Sequence, residues 1–285
     1  MRTCRIASTV AAAVVAMTFL SEASVGAQDR PSDQMTTYEL TLKDGSRLYG
    51  TIEQEDDTRI VFRSVGGVVI TAPRADVQSL RAVAGTLTAG EFRPGDPNAT
   101  RLFFGPTARS LPKGRTYFGV YEFLMPFVQI GVTDRFSIGG GTPLVFGFDE
   151  GERPFWITPK LQVLDTGRTQ VAVGAFHAFV DGEHAGIAYG VVTTGRIDAS
   201  ITAGAGYGYS SDGGHGAVVM NGGERQASRH VAFVTENYIW KGGQGVLAGG
   251  VRFFGERLSA DVGVAVPLGT GELFALPVVN FVYVF

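Results

Sequence analysis
The sequence predicts an all-β protein, most of it one antiparallel sheet closed into a transmembrane barrel. Three observations lead there. From Arg115 to Phe285 side-chain character alternates with period two, as it does along a strand. Glycine supplies 40 of the 285 residues, about twice its ordinary ~7% share. Arginines recur at tight reversals of that region, at Arg135, Arg168, Arg196, Arg229 and Arg257, spaced 33, 28, 33 and 28 residues apart. Each interval fits one strand up, one loop, one strand down and one turn, so the pattern predicts six hairpins and about twelve strands.

The chain divides in order. Residues 1–27 read as an export signal peptide: Arg2 and Arg5 precede an apolar run, and Val25-Gly26-Ala27 offers small residues ahead of a cleavage site before Gln28. The alternative, a membrane anchor, needs a longer apolar stretch than this one. Residues 28–36 form a short polar N-terminus. Residues 37–82 then predict a small domain of five short strands, with turns at Asp44-Gly45-Ser46 and Gly66-Gly67. Within it, Glu53-Gln54-Glu55-Asp56-Asp57 is either a cation site or a solvated turn. Residues 83–114 form a connector with Pro94, Pro97, Pro106 and Pro112, which suit extended chain. Its Leu102-Phe103-Phe104 is too apolar for a free linker, and is a candidate plug, as is the small domain itself. The barrel is predicted over 115–285, its longest outer loop near 211–215.

Composition excludes several classes. With 24 basic and 27 acidic residues the formal charge is -3, against a nucleic-acid binder. A hydrophobic fraction of 45% is too high for a disordered chain. Cys4 is the single cysteine, which excludes an internal disulfide or Cys-rich metal site. Four histidines, His177, His184, His215 and His230, show neither metal-ligand spacing nor an adjacent serine, so no catalytic residues, metal or cofactor are predicted. The His-x-Ser pairing of twelve-stranded outer-membrane phospholipases is absent, because His177 is followed by Ala178-Phe179.

Two resemblances add to this reading. The segment LKDGSRLYGTI, through Asp44, Gly45, Gly50 and Ile52, resembles the opening of Sm-like or SH3-like small barrels. It implies a fold only; no RNA-binding role follows. The chain ends on LPVVNFVYVF, with Phe281, Tyr283 and Phe285 at alternate positions. This resembles the C-terminal signal of Gram-negative outer-membrane barrels. That resemblance implies outer-membrane lipid and the barrel assembly machinery as partners, and places the small domain and the arginine turns together in the periplasm. A soluble exported sandwich is the alternative with the same alternation. Aromatics near the strand ends, among them Phe155, Trp156, Phe179, Tyr238 and Trp240, read as interfacial girdles.

Parity along the strands turns Lys160, Asp198, Arg252 and Asp261 inward. It leaves Glu122 open, and it leaves open whether Glu236 or Asn237 faces the lumen. Glu236 and Arg252 fall at similar heights on neighbouring strands, which predicts an interior ion pair. Such a cluster either lines a polar path or ligand site, or only satisfies charges across the lumen. Inward glycines, including Gly204, Gly206 and Gly263, either widen the lumen or make room for a plug. The expected function is a small pore or passive transporter of small solutes. The alternative is a non-conducting structural or interaction protein whose small domain docks a periplasmic partner.

Overall fold
Twelve antiparallel strands close on themselves in the computed structural model, which describes residues 37–83, 85–88, 91–144, 153–271 and 274–285. The signal-peptide reading of 1–27 and the N-terminus 28–36 lie outside these residues.

The first sheet is small. It consists of β1 (Tyr38–Leu42), β2 (Arg47–Glu55), β3 (Arg59–Ser64), β4 (Val69–Pro73) and β5 (Val77–Ala82), in the order β4-β3-β2-β1-β5. A 3-10 turn, Arg74–Asp76, links the last two. Alternating residues Leu40, Ile60, Phe62 and Ala72 bury its core. The acidic run is taken up locally. Glu53 pairs with Arg63 at 2.5 Å, Glu55 with Arg74, and Asp56 closes the β2–β3 turn. Hydrogen bonds from Thr58 hold the Asp56 carboxyl down at about 2. Among the described residues no His, Cys, Asp or Glu cluster is arranged to hold a metal.

A short hairpin, β6 (Gly85–Thr88) with β7 (Glu91–Pro94), leads to the connector. The small sheet meets the barrel at the turn between Phe254 and Leu258. There Glu256 faces Arg81 at 2.9 Å and Arg47 at 3.7 Å. The arginine turns and the small sheet therefore share one end of the barrel, called here the turn end. The opposite one is the loop end.

The barrel runs from β8 (Thr116–Tyr121), β9 (Met125–Gly131) and β10 (Phe136–Gly141) to one strand in two pieces, β11 (Phe155–Ile157) and β12 (Lys160–Asp165). The break falls at Thr158-Pro159, because proline has no N–H for the ladder. Eight long strands complete it: β13 (Thr169–Val180), β14 (Glu183–Arg196), β15 (Ala199–Ser210), β16 (His215–Ser228), β17 (Val231–Trp240), β18 (Gln244–Phe254), β19 (Leu258–Leu268) and β20 (Leu276–Val284). Closure is by β20 on β8, with Asn280 opposite Tyr121 and Val284 opposite Tyr117. β10 ends at Gly141 and the next strand begins at Phe155. The longest loop-end connection therefore runs 142–154, in part outside the described residues, and not near 211–215.

The exterior is apolar. Ile201, Phe233, Leu258, Val262 and Val264 are all more than half exposed, and Phe281, Tyr283 and Phe285 face the same way. Exposed apolar surface on this scale marks a membrane-facing wall. With every strand paired round the ring, no backbone edge is left to the lipid.

Candidate functional site
The lumen is occupied by the chain's own connector. Thr100 to Thr107 form a tight hairpin inside the barrel. Arg101 bridges Pro106, Leu102 N donates to Gly105 O at 2.9 Å, and Thr107 N donates to Thr100 O at 3.1 Å. Leu102, Phe103, Thr107 and Ala108 are fully buried. The predicted plug segment 102–104 is the tip of this hairpin.

The wall fastens the hairpin through its backbone. Lys160 Nζ donates to the carbonyls of Thr100, Thr107 and Arg109 at 3.0, 3.1 and 2.7 Å. That uses all three of its N–H groups. Gln162 donates to Ala108 O at 3.0 Å, and Asn280 to Phe103 O at 3.1 Å. Ala108 N donates to Thr193 Oγ1 at 2.8 Å. The Glu236 carboxylate accepts from the N–H groups of Phe103, Phe104 and Gly105 at 2.8 to 3.1 Å, and from the Tyr238 hydroxyl at 2.7 Å. The hairpin tip thus has its amides satisfied by one anion.

Glycines allow this close approach. A β-carbon on Gly105 would stand 2.4 Å from the Tyr238 hydroxyl and 2.7 Å from Met220 Sδ. One on Gly222 would stand 2.7 Å from Leu102 Cδ1 and 2.2 Å from Thr235 O. These two hold room for the hairpin; Gly204 and Gly206 lie on the cavity wall, where a β-carbon would stand 2.6 Å from Val191 Cγ1 and 2.7 Å from Ile187 Cδ1.

Charges at the turn half form a second fastening. Arg252, fully buried, donates to both Asp261 oxygens at 2.6 and 3.1 Å and to Asp96 at 2.6 Å. It also meets the carbonyls of Arg101 and Leu102. Arg109 pairs with Glu224. The ion pair expected between Glu236 and Arg252 does not form. Their strands are neighbours, but the register sets Arg252 opposite Ala232 and Glu236 opposite Ala248, four residues away along β17. Arg252 instead meets Asp261, its direct cross-strand partner. Glu236, not Asn237, faces the lumen; Asn237 lies outside and donates to Asn221 at 3.1 Å.

Four of the five inward charges read from the sequence, Lys160, Glu236, Arg252 and Asp261, gather round the hairpin. Asp198 does not. It is buried at the turn end and paired by Arg196 of its own turn at 2.7 and 2.8 Å. Glu122 sits in the β8–β9 turn at the loop end with φ 49° and accepts from Val279 N at 3.2 Å. Sequence reasoning missed Asp96, Arg101, Arg109, Gln162 and Glu224. Parity with Lys160 points to Gln162, and parity with Met220 and Gly222 points to Glu224. The connector charges carried no periodic signal.

Above the hairpin, in the loop half, lies an apolar cavity of about 350 Å3. Its lining includes Phe104, Tyr121, Trp156, Phe176, Tyr189 and Met220. Trp156 and Tyr238, read from the sequence as girdle aromatics, point inward here: Trp156 is 8% exposed and Tyr238 packs on the lumen cluster. The outward belt keeps Phe155, stacked on Phe179 at 4.6 Å, and His177, bonded to the Tyr209 hydroxyl at 2.7 Å.

Single-chain antiparallel barrels with an even number of strands are the outer-membrane form, and this barrel has that form. Neither a known family model nor a curated protein matches the chain. Solved structures that the chain is similar to include a KdgM porin in complex with disordered oligogalacturonate, at 8% identity and a TM-score of 0.47, covering 60% of this chain and 98% of the other. The KdgM porin alone gives the same values. A loop-deletion mutant of OmpT, an outer membrane protein of Vibrio cholerae, gives 11% identity and a TM-score of 0.37, covering 88% and 97%.

Proposed function
We propose that this chain is an outer-membrane barrel that admits small solutes from its loop end and is closed at rest by its own connector hairpin. One observation carries the reading: the Thr100–Thr107 hairpin fills the turn half of the lumen and is bound to the wall through Lys160, Gln162, Glu236 and Asn280. Passage then requires the hairpin to move. The small sheet, which we place in the periplasm with an Sm/SH3-like fold, lies only a short segment upstream of the hairpin. It is therefore positioned to transmit a partner's pull to it. The aromatic ending serves, in this reading, as the strand offered to the barrel assembly machinery. No catalysis is assigned.

The test is conductance in a planar bilayer, on refolded protein shown to be heat-modifiable. Wild type is expected to be silent. Glu236→Gln, which weakens the hold on the hairpin tip, is expected to give discrete steps. Cysteines at Ala108 and Thr193, oxidised to lock the hairpin, should silence that variant again. Steady steps in wild type that persist in the locked form would sink the proposal. A second reading is favoured by the pairing of Arg252 with Asp96 and Asp261 and of Arg109 with Glu224: a permanently closed barrel whose small sheet docks a periplasmic protein. Silence from every released variant would select it.

A further inference from the structure
An annex beside the apolar cavity is lined by Arg101, a cation with no counter-charge among the described residues. Arg101 is 7% exposed, and its Nε is buried without a hydrogen-bond partner. Its other two nitrogens meet the phenol oxygens of Tyr117 and Tyr121. Its guanidinium carbon lies 4.2 Å from the Phe127 ring centroid and 4.8 Å from that of Tyr117, so ring faces shelter the charge where an anion ordinarily would. Among the described residues no carboxylate comes within ion-pair distance of it.

Its neighbours show how different this is. Arg252 lies within ion-pair distance of three carboxylates, Asp96, Asp261 and Glu224, and Arg109 holds Glu224. Lys160 spends its N–H groups on carbonyls. Arg101 instead keeps a buried Nε donor with no partner. A small annex of about 90 Å3 lies over Arg101 and Lys160, and shares Phe104, Tyr121, Trp156 and Tyr189 with the main cavity. The Tyr189 hydroxyl on that shared wall also has no hydrogen-bond partner among the described residues. Apolar space thus leads through the annex to the Arg101 guanidinium and the free Tyr189 hydroxyl. A buried guanidinium is costly until paired, and its fork matches a carboxylate.

We propose that the cavity binds an amphipathic organic monocarboxylate, its aromatic or short aliphatic body in the apolar space and its carboxylate on Arg101. At about 350 Å3 the cavity falls at the small end of the ~300–1,000 Å3 range of small-molecule pockets. The biological role as a transported solute rests on the reading above; occupancy does not, because it needs no movement of the hairpin.

The test is fluorescence titration of the refolded, heat-modifiable barrel with 2-naphthoate. Its neutral partner 2-naphthamide and the bodiless anion acetate serve as controls. Naphthoate should bind saturably, about tenfold more tightly than the amide, as one charge-assisted hydrogen bond gives, and acetate should not compete. Arg101→Gln should bring the acid down to the amide's affinity. Val218→Trp, which puts an indole into the cavity, should remove both. Equal binding of acid and amide by wild type, or no saturable binding, overturns the proposal; that comparison stands even if Arg101→Gln does not fold. Bilayer conductance is a separate readout. Binding by a barrel that never conducts would sink transport and keep the ligand, and conduction without binding would do the reverse.

Discussion
The two halves of the lumen solve opposite problems with the same wall. In the turn half, buried Arg252, Asp261 and Glu224 and the largely buried Asp96 and Arg109 satisfy one another and the connector backbone. In the loop half, small and aromatic side chains leave a cavity of about 350 Å3, beside an annex lined by Arg101, whose Nε has no hydrogen-bond partner. The first half holds something already there. The second is shaped to receive. The difference teaches that inward charge in a barrel is not evidence of a polar path: here most of it is spent on closing one.

The comparison breaks most visibly at Arg252. Arg252→Met leaves Asp96 and Asp261 buried without their cation. Removing one partner of a buried pair typically costs about 3–5 kcal/mol, so the variant should fail to give a heat-modifiable band or should melt far below wild type. Adding Asp96→Asn and Asp261→Asn should recover much of the loss. If Arg252→Met melts like wild type, the turn half is not a fastening.

Glu236 lies at the boundary of the halves and should have a middle effect. In Glu236→Gln an amide nitrogen replaces one of the oxygens that accept from the hairpin tip. One or more of the Phe103, Phe104 and Gly105 N–H groups then loses its acceptor, worth about 1–3 kcal/mol. Denaturant midpoint and backbone hydrogen exchange at 101–106 would read it. Exchange should rise at the hairpin and stay unchanged in β13–β15. Gly105→Val should act the same way by steric means, since its β-carbon meets Tyr238 and Met220. Protection at the tip equal to wild type in both variants would show that the hairpin is held elsewhere.

How much of this was legible follows from where the signal lies. A wall residue sits in a strand, so parity reports its side, and parity found Lys160, Asp198, Arg252 and Asp261. It did not choose between Glu236 and Asn237, because Ala232 and Val234 put buried apolar residues on the lumen side of β17, Val234 in one cluster with Leu102 and Phe103 of the hairpin. The same fact hid Trp156 and Tyr238: a lumen filled by protein takes aromatics that a water-filled one would send to the girdle. Asp96, Arg101 and Arg109 belong to an irregular segment, where no period exists to read. Pairing partners depend on register, and a difference of four residues moved Arg252 from Glu236 to Asp261. The two-piece strand at Thr158-Pro159 was visible as a proline, but only the ladder shows what it interrupts.

The smallest expected effect sharpens the comparison from outside the barrel. Glu256 on the turn end pairs with Arg81 and Arg47 of the small sheet, and all three side chains are about half exposed. Hydrogen bonds that Arg81 donates to Glu256 and Glu39 raise its pKa further above its ordinary value, so this guanidinium stays charged at any working pH. Exposed ion pairs are worth about 0–1 kcal/mol and are screened by salt. Glu256→Gln should therefore shift the denaturant midpoint only slightly in dilute buffer, and the shift should vanish in ~1 M salt, where the Debye length is near 3 Å. The Arg252→Met deficit, set inside a desolvated wall, should persist in the same salt. Comparing both variants at two ionic strengths separates a contact made in water from one made in the lumen. A Glu256→Gln shift that survives salt would mean the small sheet is docked by more than its ion pairs. An Arg252→Met deficit erased by salt would mean that water reaches the turn half, and with it the claim that the hairpin seals that half would fall.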